Sequence, residues 1–350
     1  MSIKRGKNGK WYVSFRYKDS TGKTKQKKKE GLATKREAVE WQKEFLLHEQ
    51  LGANSTFDVI AEEYLMDLSS HCKPTTIENR KVVFRCNIFP RWQGRRIADI
   101  SANDIRLWRN DLLKTMKPGT VLEINSILAS FFYWAERYYN IPNPIRKAGA
   151  LRLPRKSTNQ DLLFWTYEQY KFFIQQVTND EFRVACDILY WTGLRRGEAC
   201  GLLWQDVDLE DKVIHVRRNR VYLNNQFVDI SPKTLTSNRD VAIPQRLADE
   251  LKAWREKQYK PNPTQHVLIM SPHALSHRFL ALQRKLGITP CIHIHSLRHS
   301  HASLLIEMGY SMQAIADRLG HANTLQVQRT YGHLYPKRRR EIADGLDKLD

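Results

Sequence analysis

No stretch of this 350-residue chain is apolar over the roughly twenty residues that a bilayer crossing needs. The opening MSIKRGKNGKWYV is charged and lacks the apolar core of a secretory signal. Cysteine is scarce. The five residues, at positions 72, 86, 186, 200 and 291, are odd in number and never adopt a Cys-x-x-Cys spacing. That argues against a disulfide framework and a zinc site and for reduced thiols in a cytosolic setting. No internal repeat or low-complexity tract interrupts the chain. Acidic residues are the other shortage: 37 Asp and Glu face 57 Lys and Arg, a net charge of +20. A surface that basic attracts polyanions, nucleic acid first among them, but charge alone fixes neither fold nor specificity.

What is present divides into three stretches, and the expected class is multidomain α+β. Residues 1–52 form a small unit of sheet plus helix. WYVSFRY alternates as a strand should, DSTGK turns the chain, and KTKQKKK follows as a very basic strand. Thr34 and Glu37 have capping-box spacing ahead of the amphipathic AVEWQKEFLLHEQ. The first 50 residues hold 14 Lys and Arg against 6 Asp and Glu. A ribbon carrying basic charge beside aromatic side chains can lie in a DNA groove; the plainer role is a charged edge that discourages strand aggregation.

Residues 55–147 read as all helical, from TFDVIAEEYLMDLS, PTTIENRKVVFRCNIF, ANDIRLWRNDLLKTM and TVLEINSILASFFYWAERYY, separated at Lys73-Pro74, Pro90 to Gly94 and Pro118-Gly119, with Phe131, Phe132 and Trp134 expected in the core. Residues 150–160 fit an exposed linker. From about 160 to 350 a mainly helical domain follows. Thr166 and Gln169 again suggest a capping box, and a small antiparallel sheet is expected from KVIHVRR, VYLNNQFVDIS and RDVAIP.

The last domain holds the residues that suggest chemistry. Arg195 follows Thr-Gly-Leu where a helix restarts, a position from which a guanidinium can meet phosphate oxygens, and Glu198 three residues on can hold it in place. A surface Arg–Glu pair is the bland alternative. Lys233 lies between two strand-like segments, as on a hairpin, where a lysine could protonate a leaving oxygen. HSLRH places His295 and His299 four apart. That spacing suits a metal, but Arg298 in the same turn and the lack of a neighbouring carboxylate favour phosphate. His293 and His301 read as surface or packing residues. His321 follows a glycine at a helix end, and Tyr331 ends a short helix that starts near Thr324. Two arginines can neutralise a phosphodiester in its transition state without a metal, and a tyrosine with a base or a positive field nearby can attack it. A phosphotyrosyl bond keeps the energy of the broken linkage, so a second strand can be joined without ATP.

In this order TGLRRGE, PKTLTSNRDVAIP, HSLRHSHASLL, LGHANT and RTYGH resemble the signatures of the tyrosine recombinases, the phage-integrase family. FPRWQGRRIADIS and NPI are similar to the family's helical core-binding domain, and the first 50 residues to the arm-binding domain of phage and conjugative-element integrases. The resemblance implies that Tyr331 attacks the scissile phosphate, leaving a 3′-phosphotyrosyl link and a free 5′-hydroxyl. Arg195 and Arg298 would hold the non-bridging oxygens, Lys233 would protonate the leaving oxygen, and His295 and His321 would assist proton transfer. Glu198 would support the site, and no cofactor or metal is expected. It further implies a clamp on double-stranded attachment-site DNA and a homotetramer exchanging strands through a Holliday junction in the bacterial cytoplasm. Candidate accessory partners are a host DNA-bending protein and an excisionase. The tail PKRRREIADGLDKLD could pack on a neighbouring protomer or on its own domain. Two other classes remain open on the residues alone: a non-catalytic DNA-binding or architectural protein, and a metal-dependent nuclease, for which a carboxylate cluster is lacking.

Overall fold

The computed structural model describes residues 2–6, 9–18, 24–153, 163–223, 226–231, 238–321 and 323–332. The chain divides into two compact units, residues 1–155 and 156–350. The linker expected over 150–160 falls largely outside the described residues, as does the tail after Gly332.

The first unit opens with an antiparallel sheet of β1 (Ser2–Arg5), β2 (Trp11–Lys18) and β3 (Thr24–Leu32), followed by α1 (Lys35–Asn54). β1 was not among the strands expected from the sequence. Alternation along β2 buries Val13, Phe15 and Tyr17 against α1, where Phe15 and Tyr17 meet the Phe45 ring edge-on. The aromatic residues of β2 are thus mostly core rather than facing a groove; Tyr12 instead packs under Lys28. β3 is exposed from Thr24 to Gly31, and only Leu32 is buried. Lys27 reaches over Phe45 while its neighbour Lys28 lies over Tyr12, so the strand presents lysines on both of its faces. Thr34 caps α1 by accepting from the Glu37 N–H, and the Glu37 carboxylate accepts from Ala33 N–H, one residue before the cap.

The rest of this unit is helical: α2 (Phe57–Ser69), α3 (Pro74–Val83), α4 (Phe89–Trp92), α5 (Ala102–Thr115), α6 (Pro118–Tyr139) and α7 (Pro144–Ala148). Pro74 and Pro118 start their helices where a missing N–H costs nothing. Pro90, expected to end a helix, does not. The chain widens into a π-turn over Phe84–Ile88, with Phe89 N–H reaching the Phe84 carbonyl, and continues to Trp92. Phe57, Phe84, Trp92, Phe131 and Phe132 form the core, and Trp134 lies at its rim, donating to Asp67 at 2.8 Å. Arg109, buried on α5, ties that helix to Asn125 on α6 and to the Gly149 carbonyl.

The second unit contains α8 (Tyr167–Gln175), α9 (Asp180–Thr192), α10 (Arg196–Cys200), β4 (Val207–Asp208), β5 (Val213–Val216), β6 (Asn219–Leu223), β7 (Gln226–Ile230), β8 (Arg239–Ala242), α11 (Gln245–Lys257), α12 (Pro272–Leu286), α13 (Ser296–Glu307), α14 (Met312–Leu319) and α15 (Thr324–Tyr331). The Thr166–Gln169 capping box is formed. α9 crosses the main core, and α13 to α15 close a second, smaller one around Tyr331. The strands pair as β4-β5-β8 and, separately, β6-β7. The two strands flanking Lys233, β7 and β8, therefore belong to different sheets, and among the described residues no pairing joins them. β8 pairs with β5 because its inward Val241 completes the main core. Residues 232–237, Lys233 included, lie outside the described residues. Among the described residues no helix is long and apolar enough to cross a membrane.

Candidate active site

The site grows from the end of α9. Gly193 takes the left-handed conformation that stops this helix, with φ of 67°. A Cβ there would come within 2.7 Å of both His301 and Leu319, so the position needs glycine for space as well as for φ. Two residues later Arg195 caps α10. Its guanidinium donates to Glu198 Oε1 at 2.7 Å, and its N–H to Oε2 at 2.9 Å. Arg195 remains part-exposed, whereas the Glu198 side chain is only 3% exposed.

Glu198 has a second cation, Arg239 of β8, whose Nη2 donates to Oε2 at 2.9 Å and whose Nε donates to the Arg318 carbonyl at 2.8 Å. Burial alone would push the Glu198 carboxyl up. Arg239 and Arg195 overcome it and hold the group below its ordinary value. The carboxylate thus ties the part-exposed guanidinium of Arg195 to Arg239 of the sheet.

Arg298, on the first turn of α13, is 3% exposed. Its fork donates to the Gly193 carbonyl at 2.8 Å and to the Leu319 carbonyl at 2.7 Å, and Nη2 also lies 2.8 Å from His321 Nε2. These bonds tie together the ends of α9 and α14. Burial, then Arg195, pulls the guanidinium down to about 9. Arginine stays protonated even so, and an incoming anion would relieve the strain of this desolvated charge.

Because arginine only donates, His321 Nε2 must accept, which leaves the proton on Nδ1. That nitrogen is buried without a hydrogen-bond partner among the described residues. Burial and then Arg298 lower His321 to about 4, so it is neutral and offers one unused N–H. An unsatisfied buried donor beside two arginines fits an anion with several acceptor oxygens.

Tyr331 ends α15 and is 1% exposed, packed with Ile306, Ile315 and Val327. Its hydroxyl is 2.6 Å from His299 Nδ1. Burial raises the phenol to about 12, and Arg298 opposes the shift. His295 caps α13 with its ring edge-on to His299 at 5.4 Å; burial, then Arg298 and Arg195, lower it.

Six expected residues thus fall into three contact groups: Arg195 with Glu198, Arg298 with His321, and His295 with Tyr331 by way of His299. Lys233 lies outside the described residues. His293 is exposed and His301 buried on Arg318, as surface and packing residues. Sequence reasoning missed Arg239, and it named His299 beside Arg298 without its contact to Tyr331. Arg239 occupies an inward position of RDVAIP, and a charge on the apolar face of a strand signals a buried partner. His299 lies one turn beyond His295 and next to Arg298, but its link to Tyr331 spans 32 residues and has no local mark.

Three family descriptions match the chain: an arm DNA-binding domain over residues 2–48, a phage-integrase N-terminal SAM-like domain over 56–113, and the phage integrase family over 166–338. The ICEBs1 integrase of Bacillus subtilis (strain 168) is 29% identical, with all of both chains covered. The integrase of Staphylococcus phage L54a is 27% identical over 84% of this chain and 93% of its own. The fold is similar to that of the Tn1549 transposon integrase in complex with a circular intermediate DNA. The TM-score is 0.67 at 18% identity, covering 83% of this chain and 99% of that one. It is also similar to a lambda integrase dimer bound to a core site, with a TM-score of 0.62 at 19% identity and 94% of each chain covered. The chain belongs to the phage integrase family of tyrosine recombinases.

Proposed function

We propose that this protein is a site-specific integrase that cuts and rejoins DNA through a 3′-phosphotyrosyl intermediate, inserting and excising a phage or integrative element. The observation that carries the reading is the junction at Arg298. One buried guanidinium there links the loop before Arg195 to His321, and Tyr331 lies within its field.

The scissile phosphate enters between Arg195 and Arg298, which bind its non-bridging oxygens by charge-assisted bonds, and His321 adds its unused Nδ1–H. His295 supplies a further hydrogen bond. Glu198 acts on Arg195 without touching DNA. The Tyr331 oxygen bonds to phosphorus, the bond to the 5′-oxygen breaks, and Lys233 protonates that oxygen. Attack by a 5′-hydroxyl from a second strand reverses the step. No external energy is needed, since one phosphodiester is exchanged for another.

The supporting division of labour is residues 1–52 for arm-type DNA, 55–147 for the core site and 160–350 for catalysis. Strands are exchanged within a homotetramer, in the cytoplasm of a bacterial host, with a DNA-bending protein and an excisionase as accessory partners.

The test uses nicked duplexes spanning the ends of the element that carries the gene. Mixed with the protein and denatured in detergent, they should yield a covalent adduct with wild type and none with Tyr331→Phe, both binding DNA equally. If neither forms an adduct while both bind, the protein is a non-catalytic DNA-binding factor.

A further inference from the structure

We propose that His299 is the base that takes the phenol proton of Tyr331 during attack and returns it when the strands are resealed. The inference rests on Tyr331 being the nucleophile, and it assigns a residue to a proton that the preceding scheme leaves without a destination.

The phenol is sealed from solvent at 1% exposure, so its O–H must find an acceptor inside the protein. His299 Nδ1, at 2.6 Å, is the partner the described residues provide. Among the described residues each other candidate nearby is otherwise engaged. Arg298 only donates. His321 Nε2 is occupied by Arg298, and its Nδ1 carries the remaining proton. His295 meets the ring of His299, 5.4 Å away, and not the hydroxyl. The arrangement is that of an activated nucleophile: a hydroxyl held at bonding distance by an imidazole, itself oriented by its place on a helix. His299 is fixed by α13, whose preceding residue Arg298 holds the phosphate site, so base and anion site share one rigid turn.

Among the described residues the charged and titratable groups facing His299 are His295 and Arg298 on its own helix, Tyr331 from α15 and His321 after α14. Burial, then His295 and Arg298, lower His299 to about 4. It is therefore neutral and ready to accept at any ordinary pH. Burial holds Tyr331 up at about 12, so little phenolate forms before DNA arrives. The bound phosphate supplies the negative charge that makes an imidazolium tolerable beside Arg298. In cleavage the Tyr331 oxygen bonds to phosphorus, its proton moves to His299 Nδ1, and the P–O5′ bond breaks, with the leaving oxygen protonated by a separate acid. In resealing the 5′-hydroxyl attacks phosphorus and gives its proton back to that separate acid, the P–O bond to Tyr331 breaks, and His299 returns its proton to the departing phenolate.

The test compares full-length wild type, His299→Asn, Lys233→Ala and Tyr331→Phe on nicked duplexes spanning the element ends, with an ordinary phosphate or a 5′-bridging phosphorothiolate at the scissile position. Asparagine offers an oxygen near the place of Nδ1 but cannot hold the proton. H299N should bind DNA normally and form adduct about 10²-fold more slowly at pH 7. Its rate should climb about tenfold per pH unit toward pH 9 as phenolate forms, while wild type stays flat. The sulfur leaving group, which needs no acid, should rescue K233A and leave H299N slow. A wild-type rate in H299N, an equal deficit at every pH, or rescue by sulfur would overturn the proposal. Gel-shift affinity and the far-ultraviolet helix signal check folding; where H299N disturbs them, His299→Gln carries the same comparison. An adduct from Y331F would overturn the nucleophile assignment itself, an outcome distinct from a fast H299N beside a silent Y331F.

Discussion

Two regions of this molecule are rich in positive charge and use it in opposite ways. On β3 the lysines stand in water on both faces of an exposed strand. Around Arg298 the guanidinium is desolvated, and carbonyl oxygens hold its fork in place. Exposed lysines are compact, strongly hydrated charges whose field fades over a Debye length of about 8 Å at physiological salt. They can raise the local concentration of a polyanion without choosing one phosphate in it. A buried fork does the reverse: its reach is short, its geometry is fixed, and its charge calls for one anion in one orientation. On the proposed function, attraction and recognition are therefore separate properties, carried by different residue types in different surroundings.

The largest effect expected from breaking that distinction is at Arg298. Arg298→Lys keeps the charge but cannot span the Gly193 carbonyl, the Leu319 carbonyl and His321 together. Adduct formation should fall by about 10²–10³-fold, with gel-shift affinity for DNA little changed. A near-normal rate would mean that charge suffices and that the fork is dispensable.

Next comes Glu198, which the two arginines make mutually dependent. Glu198→Ala leaves Arg195 and Arg239 facing each other across a buried gap, and breaking such a pair costs about 3–5 kcal/mol. Urea unfolding of the full chain reads this; wild-type stability in E198A would remove the claim that the buried cations need their carboxylate.

A third test contrasts Glu198 with another buried carboxylate. Glu250 on α11 is partnered by Asp187 of α9, and burial followed by Asp187 raises it from 4.5 to about 8. Its folded value lies above its unfolded one. Between those values the native state therefore holds a proton that the unfolded chain has lost, and stability falls as pH rises from about 4.5 to about 8. The urea midpoint should drop between pH 5 and pH 8.5 in wild type and drop less in Glu250→Gln. Equal slopes would show that this pair does not govern the pH response.

Much of this was legible in the sequence because the signals are local. Gly193 and Gly320 end helices, Thr166 with Gln169 opens one, and Glu198 stands one helical turn from Arg195; each is a relation within four residues, where spacing translates directly into geometry. The less legible parts depend on distant partners. The inward position of Arg239 announces a buried partner but not that it is a carboxylate 41 residues earlier, nor does His299 announce Tyr331. Pro90 misled for a different reason: proline forbids a regular α-helical bond, but a π-turn before it satisfies the chain without a break. The pairing of β8 with β5 in place of β7 is likewise set by which strand can complete a buried core.

The smallest effects per residue belong to the exposed strand, and they sharpen the comparison best. Lys27→Gln, Lys28→Gln and Lys29→Gln remove charges from the surface of β3, with little expected loss of stability, since surface substitutions rarely matter to folding. If the strand tracks a DNA backbone, each should lower the slope of log affinity against log salt by about 1 and weaken binding across sequences alike. At saturating protein the rate of adduct formation on a nicked core duplex should not move, because nothing at Arg298 has changed. An unaltered salt slope in all three would make the strand a solvated edge; a slower adduct at saturation would mean that attraction and recognition are coupled after all.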